Sequence, residues 1–447
     1  MQFSIRLRPL LLVAKSMLAG SVGCAVLCSL TATAAYAQLD FERPPVNYGQ
    51  AEANDPVAVL ARALAEGRES LEYSEEHGWL PSLLEKLQIS HASQTLVFSK
   101  TSLQLHKISP RTPRALYFND DVYVGWCQRG DVVEIAATDP QQGAVFYTID
   151  QDPELPAKIV RDRGQCLTCH ATNRTQGVPG YLVRSVYPDS NGRPRSGTRT
   201  YVTDHTTDFE QRFGGWYVSG YHGAMRHMGN VLTLDHSDPE KIDRELGANR
   251  RQLEELFYTE PYLTPDSDIV ALMLLEHQSQ MHNFIARANF ETRIAGYYDR
   301  GINEALDRPA DTVSPSTKRR ISAAGEALVS YMLFADELKL ESPVESLTDF
   351  AANFQCAENP QYVADSQGRS LRQLDLQTRL FKYPCSYLIY SAAFDGLPEP
   401  MLQFVRQRLT EVLTAAESPA GYEHLTAADR QAIRAILTDT KPGFLVE

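Results

Sequence analysis

The chain has 447 residues, of which 22% are charged, and its formal net charge is −13 at neutral pH. A chain of this length can bury a sizeable hydrophobic core and divide it among two or three domains. The acidic balance argues against binding to nucleic acid or to an anionic lipid surface, because both partners require basic patches.

Residues 1–37 predict a cleaved export signal. Three basic residues and no acidic ones accompany an apolar run that ends in the small-residue pattern Ala-Tyr-Ala at 35–37. An uncleaved anchor is the alternative, because the run approaches the length of about 20 residues that spans a bilayer. Its Ala, Ser, Thr and Gly content favours cleavage. We therefore expect a periplasmic protein that has no integral membrane segment after signal cleavage.

The next two segments predict helices and then a sheet. Residues 38–93 form an N-terminal helical segment, in which 55–88 has the spacing of two short amphipathic helices. Residues 94–159 form a small β region, because runs rich in Val, Tyr and Phe alternate with Asn-Asp, Arg-Gly and Asp-Pro turn signals. We expect these strands to pair in an antiparallel sheet.

The remainder of the chain predicts an irregular segment and then a helical region. Residues 160–238 are rich in Gly, Pro, Arg and aromatic residues, which predicts little regular structure and a cofactor that organises the segment. Residues 239–447 predict a helical C-terminal domain. Its clearest helices cover 238–257, 266–298, 318–337, 399–413 and 426–437. The expected fold class is therefore α+β, mostly α, with a small antiparallel sheet.

The irregular segment contains the motif Cys166-x-x-Cys169-His170. This spacing is typical of c-type haem attachment, in which two thiols add to the vinyl groups of one porphyrin and the adjacent histidine binds the iron. Two other chemistries use paired cysteines. A thioredoxin-like dithiol belongs at the end of a strand in a βαβ unit, and structural zinc needs a second pair of ligands; neither context is present. The sequence predicts one covalently attached haem c.

Residues 163–180 resemble the c-type cytochromes, through the attachment motif and the Pro-Gly loop that follows it. The resemblance implies that His170 is the proximal iron ligand and that the carbonyl of Pro179 holds its imidazole. The whole chain is also similar to large uncharacterised monohaem proteins of bacteria with a cytochrome c domain, for which no activity is implied. It departs from the small cytochromes in its size and in lacking a clear methionine loop.

The second axial ligand has candidates in two places. Four potential ligands follow the motif in one Gly-rich, aromatic segment, with Met225 or His227 as the leading pair; the other two are His222 and Met228. A rival stripe on a predicted helix consists of Met273, His277 and Met281, which share one face. Such a stripe more often belongs to the core, and a histidine within it is more often hydrogen-bonded there.

Other residues have roles that follow from the haem prediction. A buried haem carries two propionates, which suit the planar fork of arginine. The candidates in the segment are Arg184, Arg199, Arg212 and Arg226. Of the remaining cysteines, Cys356 and Cys385 are left open between a disulfide and free thiols. Cys127 is expected as a small buried hydrophobe.

The predicted function is haem binding and one-electron transfer in the periplasm, with a redox protein or a small-molecule electron donor or acceptor as partner. The alternative is a catalytic haem c enzyme, a peroxidase or small-molecule oxidase, in which the sixth coordination position is open. The size of the chain favours catalysis, whereas the motif favours a carrier. A haem-based sensor or a subunit of a larger respiratory assembly is a third possibility.

Overall fold

The computed structural model describes residues 40–235 and 237–446, so the predicted export signal lies outside the described residues. Two short helices come first, α1 (Pro56–Ala65) and α2 (Leu80–Lys86). The carboxylate of Asp55 caps α1 by accepting from the amides of Val57 and Ala58, and Pro56 stands at the first helical position, where no amide hydrogen is needed. The two predicted helices are confirmed.

An antiparallel sheet follows, and seven strands of the described chain belong to it. Their order is β6-β5-β4-β3-β2-β1-β9. The strands are β1 (Thr95–Val97), β2 (Arg114–Phe118), β3 (Val122–Trp126), β4 (Val132–Asp139), β5 (Gly143–Asp150), β6 (Ile159–Arg161) and β9 (Trp216–Tyr217). A separate two-stranded ribbon is formed by β7 (Arg184–Ser185) and β8 (Tyr201–Val202). The predicted sheet is confirmed, but the irregular segment also supplies its edge strand β9.

The two faces of the sheet differ in burial. Residues that pair across antiparallel strands point to the same side. One side carries fully buried residues such as Tyr117 and Val124, which pack in a core with residues of α1 and α2. The other side, called here the half-buried face, includes Arg114, Leu116, Phe118, Tyr123, Gly125, Glu134, Ala136, Phe146 and Thr148. Several of these side chains are only partly covered, which leaves apolar surface beside the Cys166–His170 motif.

Helix α5 (Ile269–Ala305) is the central element of the described chain. The buried hydrophobic residues of the described chain form two core clusters, and α5 contributes to both. Phe290 lies in the cluster that includes residues of α1 and α2, and Met281 lies in the other. The other helices are α3 (Leu167–His170), α4 (Arg244–Gly247), α6 (Pro315–Met332), α7 (Phe350–Phe354), α8 (Ala392–Asp395), α9 (Glu399–Thr414) and α10 (Ala427–Thr440). The fold is therefore α+β. No helix in the described part of the chain combines the length and apolar character needed to cross a membrane.

One predicted helix is largely wrong. The run 238–257 was expected to be helical throughout, but only the four residues of α4 are. Tertiary contacts replace the helix. The side-chain amide of Asn230 donates to the carbonyl of Gly247, and Asn249 has a φ of +50°, which ends any right-handed helix. Close approach of the backbones also requires Gly247, since a Cβ there would lie 2.3 Å from the carbonyl oxygen of Gly229.

Among residues 40–235 and 237–446, the cysteines outside the motif are free thiols. Cys127 is 1% exposed, as predicted. Cys385 is buried and Cys356 is half-buried, and the structure does not join them. The thiol of Cys356 instead donates to the carboxylate of Glu358.

Candidate functional site

The motif folds into a single helical turn. The amides of Cys169 and His170 donate to the carbonyl of Cys166, at 3.1 and 3.0 Å. The carboxylate of Asp162 accepts from the amides of Gly164 and Cys166 and so fixes the start of the turn. Cys166 is half-buried and Cys169 is exposed, and both are free thiols. One turn therefore presents two unbonded sulfurs and an imidazole within five residues.

The imidazole of His170 is held by one of its two nitrogens. Its Nδ1 donates to the carbonyl of Gly180 at 3.0 Å, and the amide of Gly180 donates back to the carbonyl of His170 at 2.8 Å. Because a carbonyl only accepts, the ring proton must be on Nδ1. Burial lowers the pKa of His170, so the ring is neutral at pH 7 and Nε2 has a lone pair. No described residue forms a hydrogen bond with that Nε2.

The carbonyl expected to hold the imidazole was that of Pro179. The structure assigns this role to Gly180, one residue further along the chain. The carbonyl of Pro179 accepts instead from the amide of Ala144, at 3.1 Å. The Pro-Gly loop thus connects the motif to β5 through one carbonyl and orients the histidine through the next. This second interaction is of the kind that orients metal-binding histidines in proteins generally.

The ring of His170 lies against the half-buried face. Its centroid is 5.0 Å from that of Phe146. Next to it, Arg114 and Glu134 form an ion pair of 2.6 Å. Gly125 lies between these two side chains, and a Cβ there would come within 2.1 Å of an Arg114 nitrogen. The glycine therefore lets a cross-strand ion pair lie flat on the sheet, beside the apolar Leu116 and Ala136.

The environment of the thiols distinguishes between the alternatives of the sequence analysis. Burial, together with the carboxylates of Asp162 and Glu134, raises the pKa of Cys166 to about 12. Disulfide exchange needs a thiolate, and dithiol enzymes lower the pKa of their nucleophile. The environment of Cys166 does the opposite. Within the described residues, no three His, Cys, Asp or Glu side chains converge as a metal cluster would require.

The four distal candidates lie in a different aromatic environment. His222 uses both nitrogens, because Nδ1 donates to the carbonyl of Met225 and Nε2 accepts from the amide of Asn249. The Nδ1 of His227 accepts from an amide, so its buried Nε2 carries the ring proton and has no lone pair. The sulfur of Met228 is 3.7 Å from the hydroxyl of Ser185. Met225 is buried, and no described hydrogen bond engages its sulfur.

The ring contacts of these histidines do not include the neighbours of His170. His222 and His227 contact each other, at 4.6 Å between centroids, and both contact Phe209. Among the described residues, the ring contact of His170 is with Phe146. The structure therefore does not place the two groups in direct contact, and the identity of a distal ligand stays a prediction.

The rival stripe lies inside the core. Met273, His277 and Met281 are buried on α5. Both nitrogens of His277 have partners, at 2.9 Å from Nδ1 of His205 and 2.9 Å from the hydroxyl of Ser386. Burial lowers the pKa of His277 to about 3. These contacts are those of a hydrogen-bonded core histidine, whose partner His205 could not be identified from the sequence.

The four candidate arginines separate clearly by partner. Arg199 and Arg226 each bind a carboxylate with two nitrogens, from Glu240 and Glu245 respectively. Arg212 is buried and pairs with Glu276 at 3.4 Å. Arg184 differs, because no described acidic side chain pairs with it and its buried Nε has no hydrogen-bond partner. Burial, and then the neighbouring Arg174, lower the pKa of Arg184, whereas its proximity to Cys169 acts in the opposite direction. Arg184 is therefore the candidate near the motif whose charge no described carboxylate neutralises.

Several residues of this site could not be selected from the sequence. Phe146 and Glu134 belong to the β region, and only the strand register brings them under His170. The available signal was alternation, since both lie on one face of neighbouring strands. No family model, no curated protein and no solved structure matches this chain. Its function is therefore inferred from its own residues.

Proposed function

We propose that the protein is an exported monohaem c-type cytochrome that transfers single electrons in the periplasm. The observation that carries the proposal is the state of the motif. His170 is neutral, its Nδ1–H is fixed by the Gly180 carbonyl, and its Nε2 is free behind two unbonded thiols. This combination is what a covalently anchored haem with a histidine axial ligand requires.

The residues around the motif fit a haem. Each thiol would add across one vinyl group, with sulfur and hydrogen going to the two carbons, so the protonated form of Cys166 is a suitable reactant. The partly covered Leu116 and Ala136, next to the buried ring of Phe146, offer an apolar surface for a porphyrin. Arg184 offers an unpaired cation for a propionate. The bound haem would supply a reversible one-electron change between ferric and ferrous iron.

The remaining roles belong to the protein itself. The Gly180 carbonyl orients the imidazole and increases its basicity by accepting a hydrogen bond from its Nδ1–H. Phe146 shields one side of the ring from water. The side chains of Arg114 and Glu134 are mostly covered, at 17% and 14% exposure, and their opposite charges cancel. The pair therefore adds no net charge beside the motif. Together these groups hold one ligand geometry in both oxidation states, which a carrier needs.

The proposed location is the periplasm, which rests on the export signal predicted at 1–37 and on attachment of haem c outside the cytoplasm. Without the three basic residues of the signal, the chain has 40 of its 43 basic side chains and all 56 acidic ones, so the mature protein is acidic. An acidic carrier is attracted to basic partners by long-range electrostatics. The proposed partner is therefore a redox protein with a basic docking surface or a small-molecule electron donor or acceptor.

One observation favours a second candidate, a catalytic haem with an open sixth position. The distal candidates His222 and His227 contact Phe209, not the residues that flank His170. In addition, neither histidine offers a free lone pair on Nε2. If Met225 also fails to reach the iron, the sixth position stays open and peroxidase or oxidase chemistry becomes possible.

Visible spectra of the oxidised and reduced protein, with and without carbon monoxide, test the two candidates. The carrier predicts low-spin spectra that carbon monoxide leaves unchanged, with a methionine–iron band that disappears in Met225→Leu. The matched control is Met273→Leu on α5, which should keep the band. High-spin iron or rapid binding of carbon monoxide after reduction would contradict the carrier and favour the enzyme.

A further inference from the structure

A cavity of about 480 Å³ lies between the β2–β3 turn, α5 and the segment 350–361. Its apolar wall consists of Phe118, Leu274, Phe350 and Phe354, all of them buried. Its volume falls within the range of small-molecule sites, about 300–1,000 Å³. Three aromatic rings in such a wall favour a flat ring as occupant. Neither the motif nor the distal candidates line this cavity.

The main polar group of the cavity is Arg372, which is 4% exposed. Its Nε donates to the carbonyl of Phe354, and its Nη1 donates to the carboxylate of Asp120 at 2.8 Å. The guanidinium lies 4.0 Å from the ring centroid of Phe354 and 4.7 Å from that of Tyr387. Its Nη2 has no hydrogen-bond partner among the described residues. One rigidly held donor is thus left for a ligand.

The charge of the cavity selects among aromatic ligands. Asp120 already neutralises Arg372, and Glu358 also lines the cavity. A carboxylate ligand would therefore add a negative charge to a site in which Arg372, the one cation among the described lining residues, is already paired, and removing that charge from water is costly. A neutral ring with oxygen substituents can accept from Nη2 without this cost. Phenols and quinones have this chemistry.

The cavity is connected to His170 by the sheet and by two tyrosines. Phe118, Tyr123, Ala136 and Phe146 form one row across four strands. The row starts at the cavity and ends against the ring of His170, and its three strand spacings span about 14 Å.

Tyr181 lies beside this row and contacts Tyr123 within it, with ring centroids 4.3 Å apart. The hydroxyl of Tyr123 accepts from the side chain of Gln278, which lines the cavity. Tyr181 directly follows Gly180, whose carbonyl holds the imidazole of His170. A tilted contact between the two rings, at 40° between their planes, and one hydrogen bond therefore join the cavity wall to the motif.

We propose that this cavity binds a neutral phenol or quinone of one or two rings, and that Tyr123 and Tyr181 carry electrons between this ligand and the haem site. This inference extends the proposed function. The electron path rests on the proposed haem, whereas the binding site does not. It identifies the small-molecule redox partner as a hydroquinone-type donor. Each hydroquinone gives up two electrons and two protons and becomes the quinone. The electrons reduce the ferric haems of two protein molecules, and the protons pass to solvent.

Binding is tested by calorimetry on the full mature protein, with 2-naphthol as the neutral probe and 2-naphthoate as its charged counterpart. We expect saturable binding of 2-naphthol at one site and binding of 2-naphthoate that is weaker by about tenfold or more. Asn353→Trp places a large side chain at the cavity wall and should weaken 2-naphthol by about tenfold or more. The adjacent exposed Ala352→Trp, which does not line the cavity, should bind like the wild type.

A second variant distinguishes loss of the binding site from misfolding of Asn353→Trp. Arg372→Lys keeps the charge opposite Asp120 but loses the planar donor, so it should weaken 2-naphthol by about fivefold. No binding to the wild type, tighter binding of 2-naphthoate, or equal binding by Asn353→Trp and Ala352→Trp would overturn the proposal.

The electron path has its own readout, the rate at which hydroquinone reduces the ferric protein. The wild type should show a rate that saturates with hydroquinone, whereas Asn353→Trp should lose saturation. Tyr123→Leu should keep 2-naphthol binding and slow reduction by about tenfold; an unchanged rate would remove the tyrosines from the path. A protein that binds 2-naphthol but carries no covalent haem would refute the proposed function and leave the binding site intact. A haem protein without 2-naphthol binding would refute the site alone.

Discussion

The histidines of this chain differ at the level of single nitrogen atoms. His170 donates from Nδ1 to a carbonyl and keeps a free Nε2, whereas His277 uses both nitrogens and His227 accepts at Nδ1. The CxxCH spacing is the sequence feature from which His170 is predicted to be an iron ligand. The others could not be ranked from the sequence, because tautomers depend on partners such as Gly229 that only the fold brings near.

Arg184 is expected to influence the proposed haem. A positive charge near a haem favours the reduced form, since the oxidised form carries one more positive charge. Removing the charge of Arg184 therefore favours the oxidised form and lowers the midpoint potential. We expect Arg184→Ala to shift the midpoint potential by about 30 mV, less than a tenfold change in the equilibrium constant of a one-electron couple. Spectroelectrochemical titration measures the shift. Arg199→Ala, whose partner is Glu240, should leave the potential unchanged, and equal shifts in both variants would contradict the assignment.

Asp121 predicts a pH dependence of stability. Burial, and then the neighbouring Asp120, raise its pKa from the ordinary 3.8 to about 7. The stability that this carboxyl contributes is fully present below its unfolded pKa and is lost as the pH rises through about 7. Asp121→Asn stays neutral throughout. At pH 8 we expect the variant to be more stable than the wild type by about 1–2 kcal/mol, with the difference disappearing near pH 4. Urea unfolding at both pH values measures it, and a constant difference would contradict the raised pKa.

At the scale of elements, local pattern predicted most of the regular structure. The strand runs between 94 and 150 and the helices α5, α6, α9 and α10 all form where alternation or helical periodicity indicated. The prediction failed at 238–257, where contacts with Asn230 and Gly229 override helical propensity. It also missed β9, whose two residues join the sheet only through β1. Short elements that depend on distant partners have no local signal.

Removing the carboxylate at the start of α5 should cause a measurable loss of stability. One carboxylate oxygen of Asp268 caps the helix by accepting from the amides of Val270 and Ala271, and the other binds Ser346 and Thr348. We expect Asp268→Ala to lower the free energy of unfolding by about 2–3 kcal/mol, since it removes a cap and the attachment of a second segment.

Asp243 offers the matched control. It caps only the four-residue α4 and is exposed, so Asp243→Ala should cost less than about 1 kcal/mol. Denaturant unfolding of both variants measures the difference. Equal losses would mean that the contacts of Asp268 beyond its own helix contribute nothing to stability.

At the scale of the whole molecule, α5 joins the two core clusters. The three tryptophans report on the sheet, because Trp126 and Trp216 lie in its strands and the indole of Trp79 donates to the carbonyl of Asp150 in β5. Far-ultraviolet circular dichroism, in contrast, reports chiefly on the helices. Because α5 packs in both clusters, we expect fluorescence and circular dichroism to follow one coincident unfolding transition. Two separated transitions would show that the sheet and the helical region unfold independently.

The central claim is that Cys166 and Cys169 hold one haem, and the intact mass of the denatured mature protein tests it most directly. The protein should be expressed with its own signal in a bacterium that attaches haem c. We predict a mass equal to the mature chain plus one haem, and loss of that addition in the double variant Cys166→Ala, Cys169→Ala but not in Cys127→Ala. A wild-type mass equal to the chain alone, with both thiols of the motif open to alkylation, would contradict the account.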